Sequence, residues 1–156
     1  PGYGRSIDMG TTSKTVGTTL IPLISIRPRT TFNGLNNRAL SVPTIVTIQT
    51  DNPIKVVLIH NTTLTGASWV NVDATESVME YDVSATARSG GHASISEYVA
   101  SGKNIETSGS VDIEKAILWN RRSVLSADTG IYTVAAIRTT STSAGVLASI
   151  NWKEIR

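Results

Sequence analysis

An all-β domain, folded as an antiparallel two-sheet sandwich, is what this sequence predicts, and three observations carry the prediction. Val, Ile and Thr fill 51 of the 156 positions. They fall in short runs that alternate with a period of two, the pattern of a pleated strand with one covered face. Between the runs stand Gly, Asn, Asp, Ser and Pro, which supply the backbone angles of turns.

Residues 1–19 are polar, rich in Gly, Ser and Thr, and without periodicity, so they read as an extended N-terminal arm. An initial Pro in place of Met is expected either from removal of the start residue or from a longer polypeptide ending in this piece. The β-domain is expected over residues 20–156. Its first strand is Leu20 to Arg27, where Pro22 favours an edge or a strand start. Thr30 to Arg38, with Asn33-Gly34, is turn-rich. In the next strand Val42, Thr44, Val46 and Ile48 share one face, and Asp51-Asn52-Pro53 turns the chain. Lys55 to His60 is a nearly continuous apolar run, expected as a central strand buried on both faces.

Asn61 to Ser68 reads as a loop. Trp69 to Val72 and Val78 to Val83 alternate weakly, and Thr86 to Gly91 is a second loop. His92 to Val99 alternates cleanly. Asn104 to Ile113 is expected to carry a strand broken at Gly109, and Glu114 to Leu125 a short helical turn. Ile131 to Ile137 and Val146 to Trp152 are the last strands, joined by the polar hairpin Arg138 to Gly145. About eight strands of this spacing suit a jelly roll, with an immunoglobulin-like sandwich as the competitor. The Cys or Trp anchor pattern usual in the latter is missing. No repeat marks a solenoid or propeller.

With no Cys, the chain has no disulfide, thiol catalyst or thiolate metal site. No apolar stretch reaches the roughly 18 residues that cross a bilayer, so a soluble protein without membrane contact is expected. Fourteen Lys plus Arg against 12 Asp plus Glu leave a net charge of +2. The cations are scattered, with Arg27 and Arg29 and then Arg121 and Arg122 as the close pairs, which argues against a nucleic-acid partner.

Candidate chemistry is sparse. Asp73, Glu76, Glu80 and Asp82 cluster in sequence, and a carboxylate pair is what glycoside hydrolysis requires; solvated surface acids are the commoner origin of such a cluster. His60 and His92 stand with 31 residues between them, and a metal site on both would need a third ligand in the same place. Trp69, Trp119 and Trp152 suit either a sugar platform or a core. No Gly-x-Ser-x-Gly elbow surrounds any Ser, Gly90-Gly91 lacks the context of a phosphate cradle, and Asn61-Thr62-Thr63 is a glycan acceptor only in a eukaryotic secretory setting. No catalytic, cofactor-binding or metal-ligating residue is nominated, no cofactor is expected, and an enzyme is not the expected class.

Several strings, taken in order, carry a resemblance. They are Leu23-Ile24-Ser25-Ile26-Arg27, Phe32-Asn33-Gly34 with Asn37-Arg38, Asn61-Thr62-Thr63-Leu64-Thr65-Gly66, Val72-Asp73-Ala74-Thr75 with Glu80-Tyr81-Asp82, Ala85-Thr86-Ala87-Arg88-Ser89-Gly90-Gly91, and Ile150-Asn151-Trp152-Lys153-Glu154-Ile155. Together they resemble the C-terminal β-domain of tailed-bacteriophage virion proteins, whose usual strings are close to LISIR, NR, NPTLTG, VDAT, ATA-x-SGG and a terminal W-[RK]-E. The resemblance covers residues 20–156. It departs at Asn61-Thr62-Thr63, where Asn-Pro-Thr is common, and in the short segment that precedes the domain.

The resemblance implies a structural virion protein. The short arm leads to the expectation of a homotrimeric decoration or cement protein on the capsid exterior, bound to the major capsid protein, with residues 1–19 ordering on a neighbour. Deleting those residues is then expected to abolish particle binding and spare the fold. The alternative is a fibre tip that binds host-surface glycan through Trp69 or Trp119. Third comes the jelly-roll coat of a small icosahedral virus, disfavoured because Arg5 and Lys14 are the only cations in the arm.

Overall fold

The computed structural model describes residues 3–100, 110–112 and 130–155, and among them it contains strands and no helix. In chain order the strands are β1 (Tyr3–Asp8), β2 (Lys14–Val16), β3 (Ile21–Pro28), β4 (Thr31–Phe32), β5 (Leu35–Asn36), β6 (Leu40–Thr50), β7 (Ile54–His60), β8 (Thr63–Thr65), β9 (Val70–Asn71), β10 (Met79–Asp82), β11 (Ala87–Ser89), β12 (His92–Val99), β13 (Ser110–Asp112), β14 (Tyr132–Arg138) and β15 (Ala144–Ile155).

Two antiparallel sheets hold most of them. The first runs β1-β15-β6-β13, with β2 also on β15, and the second runs β12-β7-β14-β3-β10-β9. Inward side chains of both sheets meet in one core, with Val46, Ile48, Val146 and Ile150 from the first and Ile24, Ile26, Val56, Leu58 and Val134 from the second. Among the described residues, eight principal arms pair from the outside inward: β1 and β2 with β15, β3 with β14, β6 with β13, and β7 with β12. Each link between consecutive arms changes sheet except the one from β7 to β12.

The run Lys55 to His60 lies in β7, an internal strand between β12 and β14. Val56 and Leu58 enter the main core, while Val57 and Ile59 form a second cluster with Ala135 on the opposite face. Pro22 sits second in β3, at the strand start, where β14 pairs on one side beside a bulge at Val134/Ala135 and β10 reaches only Ser25 to Pro28 on the other. Asn33 and Gly34 both take positive φ, 52° and 76°, and close the β4–β5 hairpin inside the segment read as turns. Two expected loops contribute β8 and β11, which pair with each other. Of the strand expected within Asn104 to Ile113, β13 is described; the helical turn expected over Glu114 to Leu125 lies outside the described residues.

Residues 3–16 differ most from the expectation. They are extended, but as strands of the domain's own first sheet: Tyr3 to Asp8 pair with Glu154 to Ser149, and Lys14 to Val16 with Val146 to Ala144. Val16 is fully buried. Lys14 Nζ crosses to the second sheet and donates to the carbonyls of Pro22 and Ala85 at 3.0 and 2.9 Å. Burial pushes the Lys14 ammonium below its usual range, against the nearby Asp82 charge, which raises it. Truncating residues 1–16 is therefore expected to lower stability by about 3 kcal/mol or more, from lost ladder bonds and apolar burial. Urea unfolding of the truncated and full chains checks this.

Candidate functional site

Residues of the strings quoted above gather into hydrogen-bonded anchors that hold the long excursion between β7 and β12 onto the sandwich. The first anchor is centred on Glu154. Its carboxylate is fully buried and accepts from Ser77 Oγ at 2.5 Å, Trp152 Nε1 at 3.1 Å and Val78 N at 3.3 Å. A bulge between Asn151 and Trp152 sets this part of β15, and the C-terminal Trp-Lys-Glu string thereby clamps the start of β10.

Asn37 forms the second anchor. Its Nδ2 donates to the carbonyls of Arg29 and Val78, both at 2.9 Å, and its Oδ1 accepts from Ala39 N. Arg29 Nη1 donates to the carbonyls of Ala74 and Ser77 at 3.1 Å. The β4–β5 hairpin is thus fixed at its base to the 73–77 turn. Asp73 shapes that turn by accepting from Thr75 N, Thr75 Oγ1 and Glu76 N. The Thr75 amide, then the Glu76 amide, hold its carboxyl below the usual range.

Asp82 makes the third. Only 2% exposed, it accepts from Ser84 Oγ, Ser68 N, Ser84 N and Ala85 N. Burial alone raises a carboxyl pKa; these hydrogen bonds outweigh it and the net shift is downward. Both depressed carboxyls contribute stability that is complete above their unfolded values and lost as pH falls through their lower native values. Stability is expected to fall below about pH 4, and Asp82→Asn to flatten that fall. An acid series of urea midpoints measures it.

A fourth anchor joins the β8–β11 pair to β7. Asn61 has φ 57°, donates its amide to Ile131 O and accepts Ile131 N on Oδ1. The Asn of the glycan motif thus has its backbone amide and its Oδ1 engaged by Ile131. Thr62 Oγ1 donates to Ser89 O and accepts from Arg88 Nε, each at 3.0 Å. Gly91 has φ 86°, and a Cβ there would lie 2.8 Å from both His60 O and Thr62 N.

The four clustered acids are thus not gathered into an acid–base pair. Asp73 caps a turn, the Glu76 carbonyl accepts Arg5 Nη2, Glu80 is bonded to Arg27 at 2.6 Å, and Asp82 is buried in its own ring of donors. Arg27 also stands 4.0 Å from the centre of the Trp69 ring, covering one of its faces. Trp152 is a core residue; Trp119, Arg121 and Arg122 lie outside the described residues. His60 and His92, far apart in sequence, are direct cross-strand partners, and the His60 ring stacks on Tyr132 at 4.6 Å. This adjacency follows from strand register, which is not a local property of the sequence. Among the described residues no group of three or more metal-ligating side chains is present.

A shallow depression of about 350 Å³ lies across β1, β15 and β6, lined by Gly4, Ser6, Thr44, Asn151 and Lys153 among others. Compared with family models, with curated proteins and with solved structures, the chain finds no match.

Proposed function

We propose that this chain is a structural protein of a tailed-phage virion, a homo-oligomeric decoration or cement protein bound to the major capsid protein on the head exterior. One observation carries the reading. The strings that resemble phage virion β-domains run in order along residues 23–155, and their polar members occupy the anchors of a single sandwich. A pattern used to hold a fold is what a structural module needs, and it leaves little polar chemistry over for turnover.

The nested pairing of eight arms supports a jelly roll within this reading, since a long hairpin wrapped on itself yields that order, and jelly rolls recur in viral capsid proteins. Symmetric assembly covers strand edges and exposed apolar side chains; a cyclic trimer suits a three-fold or quasi-three-fold position. Residues 3–8 and 14–16 pair with β15 of the same chain, so in this reading they belong to the domain and do not serve as a tether. Contact with the shell therefore falls to other surfaces. The fibre-tip alternative loses some ground because Arg27 covers one face of Trp69.

The test is reconstitution. Shells assembled from the major capsid protein alone, mixed with the purified chain and sedimented, are expected to carry it to a saturable, fixed ratio. Failure to bind shells, with recovery in tail fractions of the particle, would transfer the chain to a fibre.

A further inference from the structure

We propose that Met9 is an oxidation site through which peroxide loosens the hold of β15 on the N-terminal strands. The chain contains no Cys and two Met, so its sulfur chemistry rests on Met9 and Met79. Met79 is fully buried in the core between the sheets, whereas Met9 is half-buried against that core. Susceptibility to oxidation follows exposure, so a small water-soluble oxidant such as hydrogen peroxide reaches Met9 and not Met79.

The Met9 sulfur is built into the first sheet. The register of β1 on β15 ends with Asp8 opposite Ser149, which makes Met9 and Ala148 the next rung. In an antiparallel ladder a hydrogen-bonded pair exchanges two N–H···O bonds. Here Met9 N donates to Ala148 O at 3.2 Å, but the return bond from Ala148 N runs to Met9 Sδ at 3.3 Å. The chain turns away at once, with Gly10 at φ 66° and its amide held by Asp8 Oδ1 at 2.7 Å. A thioether, which is a weak acceptor, thus stands in for a carbonyl at the last rung. Ala148 is only 4% exposed, so its amide has little water to turn to instead.

In the reaction a lone pair of Met9 Sδ attacks one oxygen of hydrogen peroxide: an S–O bond forms, the O–O bond breaks, and water leaves. Sulfur gives up two electrons and the peroxide takes them. Both sulfoxide epimers disturb the rung. An oxygen added on the Ala148 side has no room within the 3.3 Å between Sδ and the amide nitrogen. One added on the far side draws electron density from sulfur and leaves it a poorer acceptor. Either product also sets a polar group against the core on which the thioether packs.

The experiment treats the folded full chain with hydrogen peroxide and maps the added oxygen by peptide mass spectrometry. Met9→Leu, which nearly conserves volume and removes the sulfur, is treated in parallel. Met9 is expected to be converted first, with Met79 staying reduced until urea unfolds the chain. The oxidised protein is expected to unfold at a temperature lower by about 3 °C or more. Hydrogen exchange at the Ala148 amide is expected to quicken, and methionine sulfoxide reductase to reverse both changes. Met9→Leu is expected to keep its midpoint under the same peroxide. Failure of Met9 to react ahead of Met79 in the folded chain overturns the proposal. So does a Met9 sulfoxide that leaves the midpoint and the Ala148 exchange unchanged, or an equal fall in Met9→Leu.

Discussion

Glu154→Ala is expected to destabilise the protein by about 3–5 kcal/mol, enough to remove a large share of the stability of a domain this size. The carboxylate has no solvent exposure and is the common acceptor for Ser77 Oγ, Trp152 Nε1 and Val78 N. Alanine leaves three buried donors without that acceptor and opens a cavity beside the Trp152 ring. Losses from unsatisfied buried donors run to about 1–3 kcal/mol each and do not add fully, since Ser77 is free to rotate toward another acceptor. Glu154→Gln keeps the volume and one acceptor oxygen but turns an amide N–H toward a donor, so an intermediate loss is expected. Urea midpoints of the three proteins, at constant slope, measure the series. A loss under 1 kcal/mol in the Ala variant would remove the Glu154 anchor from the account.

Gly91→Ala is the second large effect, about 3 kcal/mol or more. Two penalties coincide. The φ of 86° belongs to a region that side chains rarely adopt, and the new Cβ would stand 2.8 Å from His60 O and Thr62 N and 2.9 Å from Ile59 Cγ2. Two of those three atoms are backbone and lack the freedom of a side-chain tip. Relief requires moving the chain at the junction of β7, β8 and β12, which also separates His60 from His92. Gly17→Ala is the matched control: its Cβ meets nothing within 4 Å and its φ is not in the positive range, so a change within about 1 kcal/mol is expected. Thermal unfolding of both variants separates strain from a general intolerance of glycine replacement.

Much of the sandwich is legible in the sequence because its strands bury apolar side chains with a regular period. Val46 and Ile48 mark β6 in this way, and the unbroken run in β7 reflects burial on both faces. Asn33-Gly34 gives the hairpin turn from local chemistry alone. The strands β1 and β2 lack a periodic apolar pattern for a physical reason. Their inward positions hold Tyr3, Arg5, Ile7, Lys14 and Val16, so only Ile7 and Val16 are aliphatic, and the covering is done by β15 far along the chain.

The anchors were illegible in a different way. Asn37, Ser77, Asp82 and Glu154 are buried polar residues, and in a sequence such residues look the same as solvated ones. Their partners lie tens of residues away, as Ser77 does from Glu154. The strings were visible as strings; that they bond segments distant in the chain became visible only in the folded arrangement. The His60–His92 adjacency belongs with them, since it depends on the register of β12 against β7.

The measurement that tests the central claim most directly is the copy number of this chain in density-purified particles, by quantitative mass spectrometry against the major capsid protein. A structural role on the head predicts a ratio of the same order as the capsid protein. A ratio at the level of tail components would contradict the head position, and complete absence from the particle would contradict the virion reading itself.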